Sequence, residues 1–189
     1  HGHEDHVGGI AYLLKEINVP VYGTKLTLAL ADNKLREQRI NKAQTTCVQP
    51  GDVIKLGCFT VEFVNVNHSI AGSVALSIQT PHGRIFHSGD FKIDLTPVAG
   101  RPIDLPRIAE IGKEGVELLL CESTNVERQG YTMSETVVGT TLDHLFAENA
   151  NRRIIVATFA SNVHRLQQII DIAAKYRRKV ALSGRSMLN

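Results

Sequence analysis

Tryptophan is absent from this chain and methionine occurs twice. Aromatic residues make up only 5% of the 189 positions, which gives little support for a base-stacking platform of the kind that binds single-stranded nucleic acid. A dominant sign of charge is missing too. Lys and Arg number 21 against 19 Asp and Glu, and a net charge of +2 is too small to argue for a nucleic-acid partner by itself. No apolar stretch is long enough to span a membrane, and no secretory leader is visible. The three cysteines, Cys47, Cys58 and Cys121, are odd in number and scattered, so they do not read as a disulfide framework. Each lies in or beside an apolar run, which predicts buried free thiols in a reducing compartment, the cytoplasm. Several catalytic signatures are missing as well. Gly112-Lys113-Glu114-Gly115 lacks the glycine spacing and the Ser/Thr of a phosphate-binding loop. There is no Gly-x-Ser-x-Gly elbow, and no Cys–His nucleophile pair in sequence.

What is present begins at the first residue. Hydrophobic content of 43% and charged content of 21% describe a globular protein of one domain or one and a half. The chain opens with His1-Gly2-His3-Glu4-Asp5-His6, three histidines and two carboxylates in six positions. In an extended segment residues two apart point the same way, so His1 and His3 can grip one metal ion. Asp5 and His6 follow where Val7-Gly8-Gly9 can start a helix, within reach of a second ion. Imidazole and carboxylate without thiolate suit Zn²⁺ in a catalytic rather than a structural site, and Mn²⁺ to a degree. A chain that starts on a ligand and stops just after an apolar run is expected to be an internal piece of a longer protein.

Residues 7–16 carry apolar positions at helical spacing, with Asn18-Val19-Pro20 as the stop and a short strand over 20–23. Thr24 can cap a second helix to about residue 39. Pro50-Gly51-Asp52 is a turn. Phe59, Val61 and Phe63 alternate with polar residues, the pattern of a half-buried strand, which continues over 64–67 and delivers His68 at its end. Residues 73–80 and 84–87 read as a hairpin around Pro81-His82-Gly83, closed by Ser88-Gly89-Asp90. Residues 94–115 are rich in Pro and Gly, with few strong periods. The continuous apolar run 116–121 predicts a buried strand. Clean α/β alternation then follows, with a helix over 134–148, a strand over 154–158, a helix over 161–175 and a strand over 180–182. A domain transition is expected near 124–133.

His68 and Asp90 both follow strands, and strand ends converging on one sheet edge can gather ligands from distant sequence. With the opening run the candidates become four histidines and two aspartates. Two ions are expected. His1, His3 and His68 would hold the first, Asp5 and His6 part of the second, and Asp90 would bridge them. A pair of ions roughly 3.5–4 Å apart can make a hydroxide at neutral pH and stabilise attacking and leaving oxygens, which fits phosphodiester hydrolysis. Asp5 could also orient that hydroxide or take its proton. The second ion lacks a protein ligand on this count, and that ligand is expected beyond residue 189.

The order His1-Gly2-His3-Glu4-Asp5-His6, His68, Ser88-Gly89-Asp90 resembles the metallo-β-lactamase superfamily, whose H-x-H-x-D-H motif the opening run matches. Cys121-Glu122-Ser123-Thr124-Asn125, Thr132-Met133-Ser134-Glu135, residues 157–165 and Gly184-Arg185-Ser186-Met187 resemble its β-CASP nuclease branch. The resemblance implies an α/β architecture: a partial metallo-β-lactamase αββα sandwich over residues 1–125, then the start of an α/β β-CASP domain over 126–189. It implies a metal-dependent ribonuclease, endonuclease and 5′→3′ exonuclease, acting through a two-zinc-activated hydroxide on RNA with a 5′-monophosphate end. It also implies a cytoplasmic parent protein that forms homo-oligomers or pairs with a paralogue, and an inactive isolated piece. Glu122 matches the acidic residue at the entry to the β-CASP insert, which supports the leaving-group side. Ser161 capping its helix, with His164, Arg165 and Arg185, makes a candidate set for RNA phosphate. A small-molecule thioester or lactam hydrolase on the same scaffold and a DNA-directed β-CASP nuclease are the rival readings.

Overall fold

The computed structural model describes residues 1–184 and 187, so Arg185 lies outside the described residues. The fold is mixed α/β. Its centre is a five-stranded sheet in the order β3-β4-β5-β6-β7, formed by β3 (Val53–Leu56), β4 (Phe59–Asn65), β5 (Val74–Thr80), β6 (Gly83–His87) and β7 (Leu118–Leu120). The first four strands are antiparallel neighbours, whereas β7 joins β6 in parallel. A parallel neighbour requires a crossover, and the helix α4 (Leu105–Glu114) lies within it. Beside this sheet, β1 (Val21–Gly23) pairs in parallel with β2 (Thr45–Cys47), linked by α3 (Lys25–Glu37). The short helices α1 (Glu4–Val7) and α2 (Ile10–Glu16) precede them.

The period-2 alternation of β4 divides the core. Val64, and Val66 just beyond the strand, pack with Ala75, Phe86, Ile103 and Ile111 on the α4 side. Val61 and Phe63, on the opposite face, pack with Val48 and the partly buried Tyr22 and Ile54. A third cluster, Ala11, Leu14 and Leu35, binds α2 to α3. On the α4 side Glu62 accepts a two-pronged hydrogen bond from Arg107, at 2.7 Å from Nε and 2.9 Å from the second nitrogen. That pair pins α4 to the sheet.

The last two helices are α5 (Glu135–Glu148) and α6 (Val163–Lys175). Glu135 meets Arg165, Asp143 meets Lys175, and Phe146 stacks 6.3 Å from Tyr176. These contacts advance along both helices together, so the helices run parallel.

Several sequence expectations are corrected here. Residues 154–158 and 180–182 are apolar and β-branched, but they belong to no strand. Strand propensity becomes a strand only where a neighbour completes the ladder, and among the described residues neither segment has one. The Pro- and Gly-containing region expected to lack periodicity holds α4. Asp104 caps it by accepting from the Arg107 N–H at 3.1 Å, and a proline stands in its first turn. The run 116–121 contains β7 at the edge of the sheet, and Leu118–Leu120 are exposed, with neither face of the strand covered among the described residues. All three cysteines are exposed rather than buried. Thr24 does not cap α3 with its side chain; its hydroxyl donates to the Gly72 carbonyl at 2.7 Å.

Candidate metal centre

The topology explains why distant residues meet. β4 and β6 flank β5 in antiparallel fashion, so they point the same way, and β7 runs parallel to β6. The C-terminal ends of β4, β6 and β7 therefore emerge at one edge, carrying His68, Asp90 and Glu122. The Lys92 N–H donates to the Asn67 carbonyl at 2.8 Å and closes the gap between the first two loops. The opening run joins them through α3. Gly2 packs the His1–His3 segment against α3: a Cβ there would stand 2.5 Å from Leu30 Cδ1, and the leucine side chain would have to move aside. His3 has extended backbone (φ −69°, ψ 153°) and ends that segment as the N-cap of α1. Asp5 and His6 fall in the first turns of α1, slightly earlier than a helix starting at Val7 would place them.

Five of the six expected ligands converge. His1 Nε2 lies 3.1 Å from His3 Nδ1, which lies 3.2 Å from His68 Nε2. A tetrahedral ion with Zn–N bonds of about 2.0–2.1 Å separates neighbouring nitrogens by about 3.3 Å, so this triad fits a divalent ion. A second group contains His1, His6 and Asp90. There Asp90 Oδ2 is 3.2 Å from His6 Nε2 and 3.6 Å from His1 Nε2. The same oxygen is 3.8 Å from His68 Nε2, so one carboxylate atom faces both groups. The His1 side chain is 2% exposed and belongs to both. Asp5 is in neither group. Its Oδ2 is 3.6 Å from His6 Nε2, and the side chain is largely open to solvent. Burial, with a smaller contribution from His3, pushes the His68 imidazole below its ordinary pKa, against the opposing pull of Asp90 and Glu122. A neutral imidazole has the lone pair that a metal ligand needs.

The surrounding contacts hold these groups in place. The Ser88 hydroxyl accepts from the Glu122 N–H at 3.0 Å and lies 2.6 Å from the Gly89 carbonyl, to which it donates. It thereby ties the Asp90 loop to the Glu122 loop. Glu122 Oε2 accepts from the Thr124 N–H at 2.9 Å. His87 Nδ1 accepts from the Gly89 N–H at 3.0 Å, supporting the Asp90 turn from outside the ligand set.

The α6 residues behave differently from the sequence expectation. Asn162, not Ser161, caps the helix, accepting from the Arg165 N–H at 3.1 Å. Ser161 instead turns its backbone carbonyl to His3 Nε2 at 3.3 Å. Arg165 is engaged by the buried Glu135 through two of its nitrogens, so its guanidinium is a structural group and not a free phosphate donor. His164 is partly buried near Glu135 and Lys92, with its pKa lowered chiefly by burial. Sequence reasoning missed Lys92 and Asp94, and read Glu135 only as part of the Thr132–Glu135 match to the β-CASP branch. The Glu135 carboxylate meets Lys92 across 43 residues of chain and the Glu135 N–H meets the Asp94 carboxylate across 41, and no local pattern marks such a pairing.

A family model described as a beta-lactamase superfamily domain matches residues 1–136. The chain belongs to the β-lactamase superfamily. A second model, described as the beta-CASP domain of ribonuclease J, matches residues 151–189. Among curated relatives, ribonuclease J of Synechocystis is 50% identical, covering 100% of this chain and 30% of that protein. Ribonuclease J of Mycobacterium tuberculosis is 48% identical, covering 100% and 34%, and that of Helicobacter pylori is 47% identical, covering 99% and 27%. The chain thus spans about a third of the length of the curated relatives it matches. A crystal structure of a protein of unknown function from Enterococcus faecalis superposes with a TM-score of 0.62 at 26% identity, over 81% of this chain and 39% of that one. A superfamily domain with converging histidines and an aspartate is built to use a divalent metal.

Proposed function

We propose that this chain carries the metal-binding part of a ribonuclease of the ribonuclease J kind, which hydrolyses RNA phosphodiester bonds with two bound divalent ions, zinc in the first instance. The observation that carries the reading is the single Asp90 oxygen facing both histidine groups. Identity of 47–50% to ribonuclease J along nearly the whole chain supports RNA as the substrate. His1, His3 and His68 would hold one ion, Asp5 and His6 part of the second, and Asp90 would bridge them. Two such ions would supply a nucleophile from water at neutral pH and stabilise the charge that develops on the phosphate. Asp5 is exposed and next to His6, where it would orient the hydroxide or take its proton. Glu122 stands near His68 at the same sheet edge and supports the leaving-group side.

The boundary between the two domains falls near residue 125, the enzyme acts as both endonuclease and 5′→3′ exonuclease in the cytoplasm, and a 5′-monophosphate end is preferred. His164, the Ser161 turn and Arg185 meet RNA phosphate. The parent protein is a homo-oligomer or pairs with a paralogue, and the isolated chain is inactive.

The test uses the full-length protein that contains this chain, with 5′-monophosphorylated RNA, 5′-triphosphorylated RNA and matched DNA, with and without metal, beside Asp90→Ala. The expected result is metal-dependent RNA cleavage, faster on the monophosphate and lost in the variant. Cleavage of DNA alone would move the assignment to a DNA-directed nuclease. Two bound metals with no cleavage of either polymer would favour the small-molecule hydrolase.

A further inference from the structure

A buried charge cluster lies outside the metal groups, and the hydrolytic reading leaves it without a role. Asp94, with a side chain 1% exposed, accepts from the Glu135 N–H at 3.1 Å and pairs with Lys92 at 3.2 Å. Glu135, 10% exposed, meets Lys92 at 3.5 Å, Gln168 at 3.4 Å and both prongs of Arg165. Ser134 and Thr136 donate to the Thr96 carbonyl at 2.8 and 2.6 Å and clamp the start of α5 to the same loop. Burial alone would raise the Glu135 pKa, but Arg165 and Lys92 outweigh it and hold the carboxyl below its ordinary range. The carboxylate is therefore charged, and it depends on its cations.

The cluster reaches a metal ligand through a short path. Arg165 lies in the first turn of α6, its N–H is received by the Asn162 side chain, and the Asn162 N–H donates to the Phe159 carbonyl at 3.1 Å. Inside that turn the Ser161 carbonyl faces His3 Nε2 at 3.3 Å, with the Ser69 hydroxyl at 3.4 Å from the same nitrogen. His3 offers the other ring nitrogen, Nδ1, to the metal group. A histidine ligand that donates its second N–H to a carbonyl is fixed in tautomer and orientation, and losing such a partner typically weakens metal binding about 10- to 100-fold.

We propose that Glu135 and Arg165 are positioning residues for the metal centre, their pair holding the 159–162 turn so that the Ser161 carbonyl accepts a hydrogen bond from the His3 Nε2–H and leaves Nδ1 free for the ion. The inference rests on the metal-centre reading above. It makes α5 and α6 part of the ligand geometry, although none of their side chains belongs to either candidate ligand group.

The test is Co²⁺ binding to the full-length protein, read by affinity and by the visible absorption of the bound ion. Glu135→Gln and Arg165→Met are expected to weaken Co²⁺ binding about 10-fold and to change the absorption band. Arg165→Lys keeps the charge but loses the fork, so its affinity is expected between the wild type and Arg165→Met. In a His3→Ala background, Arg165→Met is expected to have no further effect on the residual binding, which a general loss of stability would not reproduce. Unchanged affinity and absorption in a folded Arg165→Met protein, or an equal loss with and without His3, would overturn the inference alone. If Arg165→Met does not fold, Arg165→Lys decides by the same measures. Wild type that binds no Co²⁺ would sink the metal-centre reading and this inference with it.

Discussion

Gly89 offers a sharp perturbation because the chain contains its own control. Gly89 has φ +58°, and a Cβ there would stand 2.9 Å from the Val74 carbonyl oxygen. Gly57 has φ +60°, and a Cβ there would meet nothing within 4 Å. Alanine at either position bears the same left-handed backbone cost, about 1 kcal/mol. At Gly57 that is the whole effect. At Gly89 the added methyl presses on strand backbone in β5, which cannot swing aside as a flexible side chain would. Overpacking of this kind adds about 1–3 kcal/mol. Relief by displacement has a functional consequence, because the next residue is Asp90, whose Oδ2 stands 3.2 Å from His6 and 3.6 Å from His1. A shift of about half an ångström spoils distances held to a few tenths. Gly89→Ala is thus expected to lower the thermal midpoint of the metal-free full-length protein more than Gly57→Ala does, and to weaken metal binding where Gly57→Ala leaves it intact. Chelator competition and thermal melting of the two variants side by side measure both. Equal destabilisation with equal metal affinity would refute the reasoning that close approach to Val74 sets the position of Asp90.

Metal removal is expected to lower the thermal midpoint of the full-length protein, because ions that bind only the folded state stabilise it; melting with and without chelator checks this, and His68→Ala is expected to abolish most of the difference. Glu62→Gln removes the charge that Arg107 grips. The hydrogen bond from Arg107 holds Glu62 below its ordinary pKa, outweighing partial burial. A carboxyl depressed in the folded state contributes stability that is present above its unfolded pKa and lost as pH falls through the folded value. The variant is therefore expected to be less stable than wild type by about 1 kcal/mol near neutrality, and the gap is expected to close under acid below about pH 4, as read by melting across pH. Ile111 is 1% exposed at the centre of the α4–sheet core, so Ile111→Ala is expected to cost about 2–5 kcal/mol in denaturant unfolding. A loss below about 1 kcal/mol would show that α4 is not seated as described.

The convergence of the candidate ligands was legible because their chemistry is local and their placement follows from strand ends. His1 and His3 are two residues apart on an extended segment, and His68 and Asp90 each follow a strand that alternation or a hairpin turn announces. The sheet's parallel and antiparallel neighbours then bring those ends to one edge. Legibility failed where a property depends on what lies beside a segment rather than on the segment itself. Leu118–Leu120 is as apolar as a buried strand, yet it is the exposed sheet edge. Ile154, Ile155 and Val156 have strand propensity but no ladder partner among the described residues. The α4 helix carried its own signals, an Asp104 cap and a first-turn proline, which the neighbouring Pro and Gly residues obscured. Arg165 illustrates the limit best. Next to His164 near a helix start it reads as a phosphate donor, and only Glu135, thirty residues earlier and buried, turns it into a strut. A charged side chain in sequence is an offer of binding, and the fold decides whether a ligand or a buried counter-ion takes it. Here the counter-ion takes it, and the path through Asn162 and Ser161 ends on His3, so the fold puts that charge to use in orienting a metal ligand.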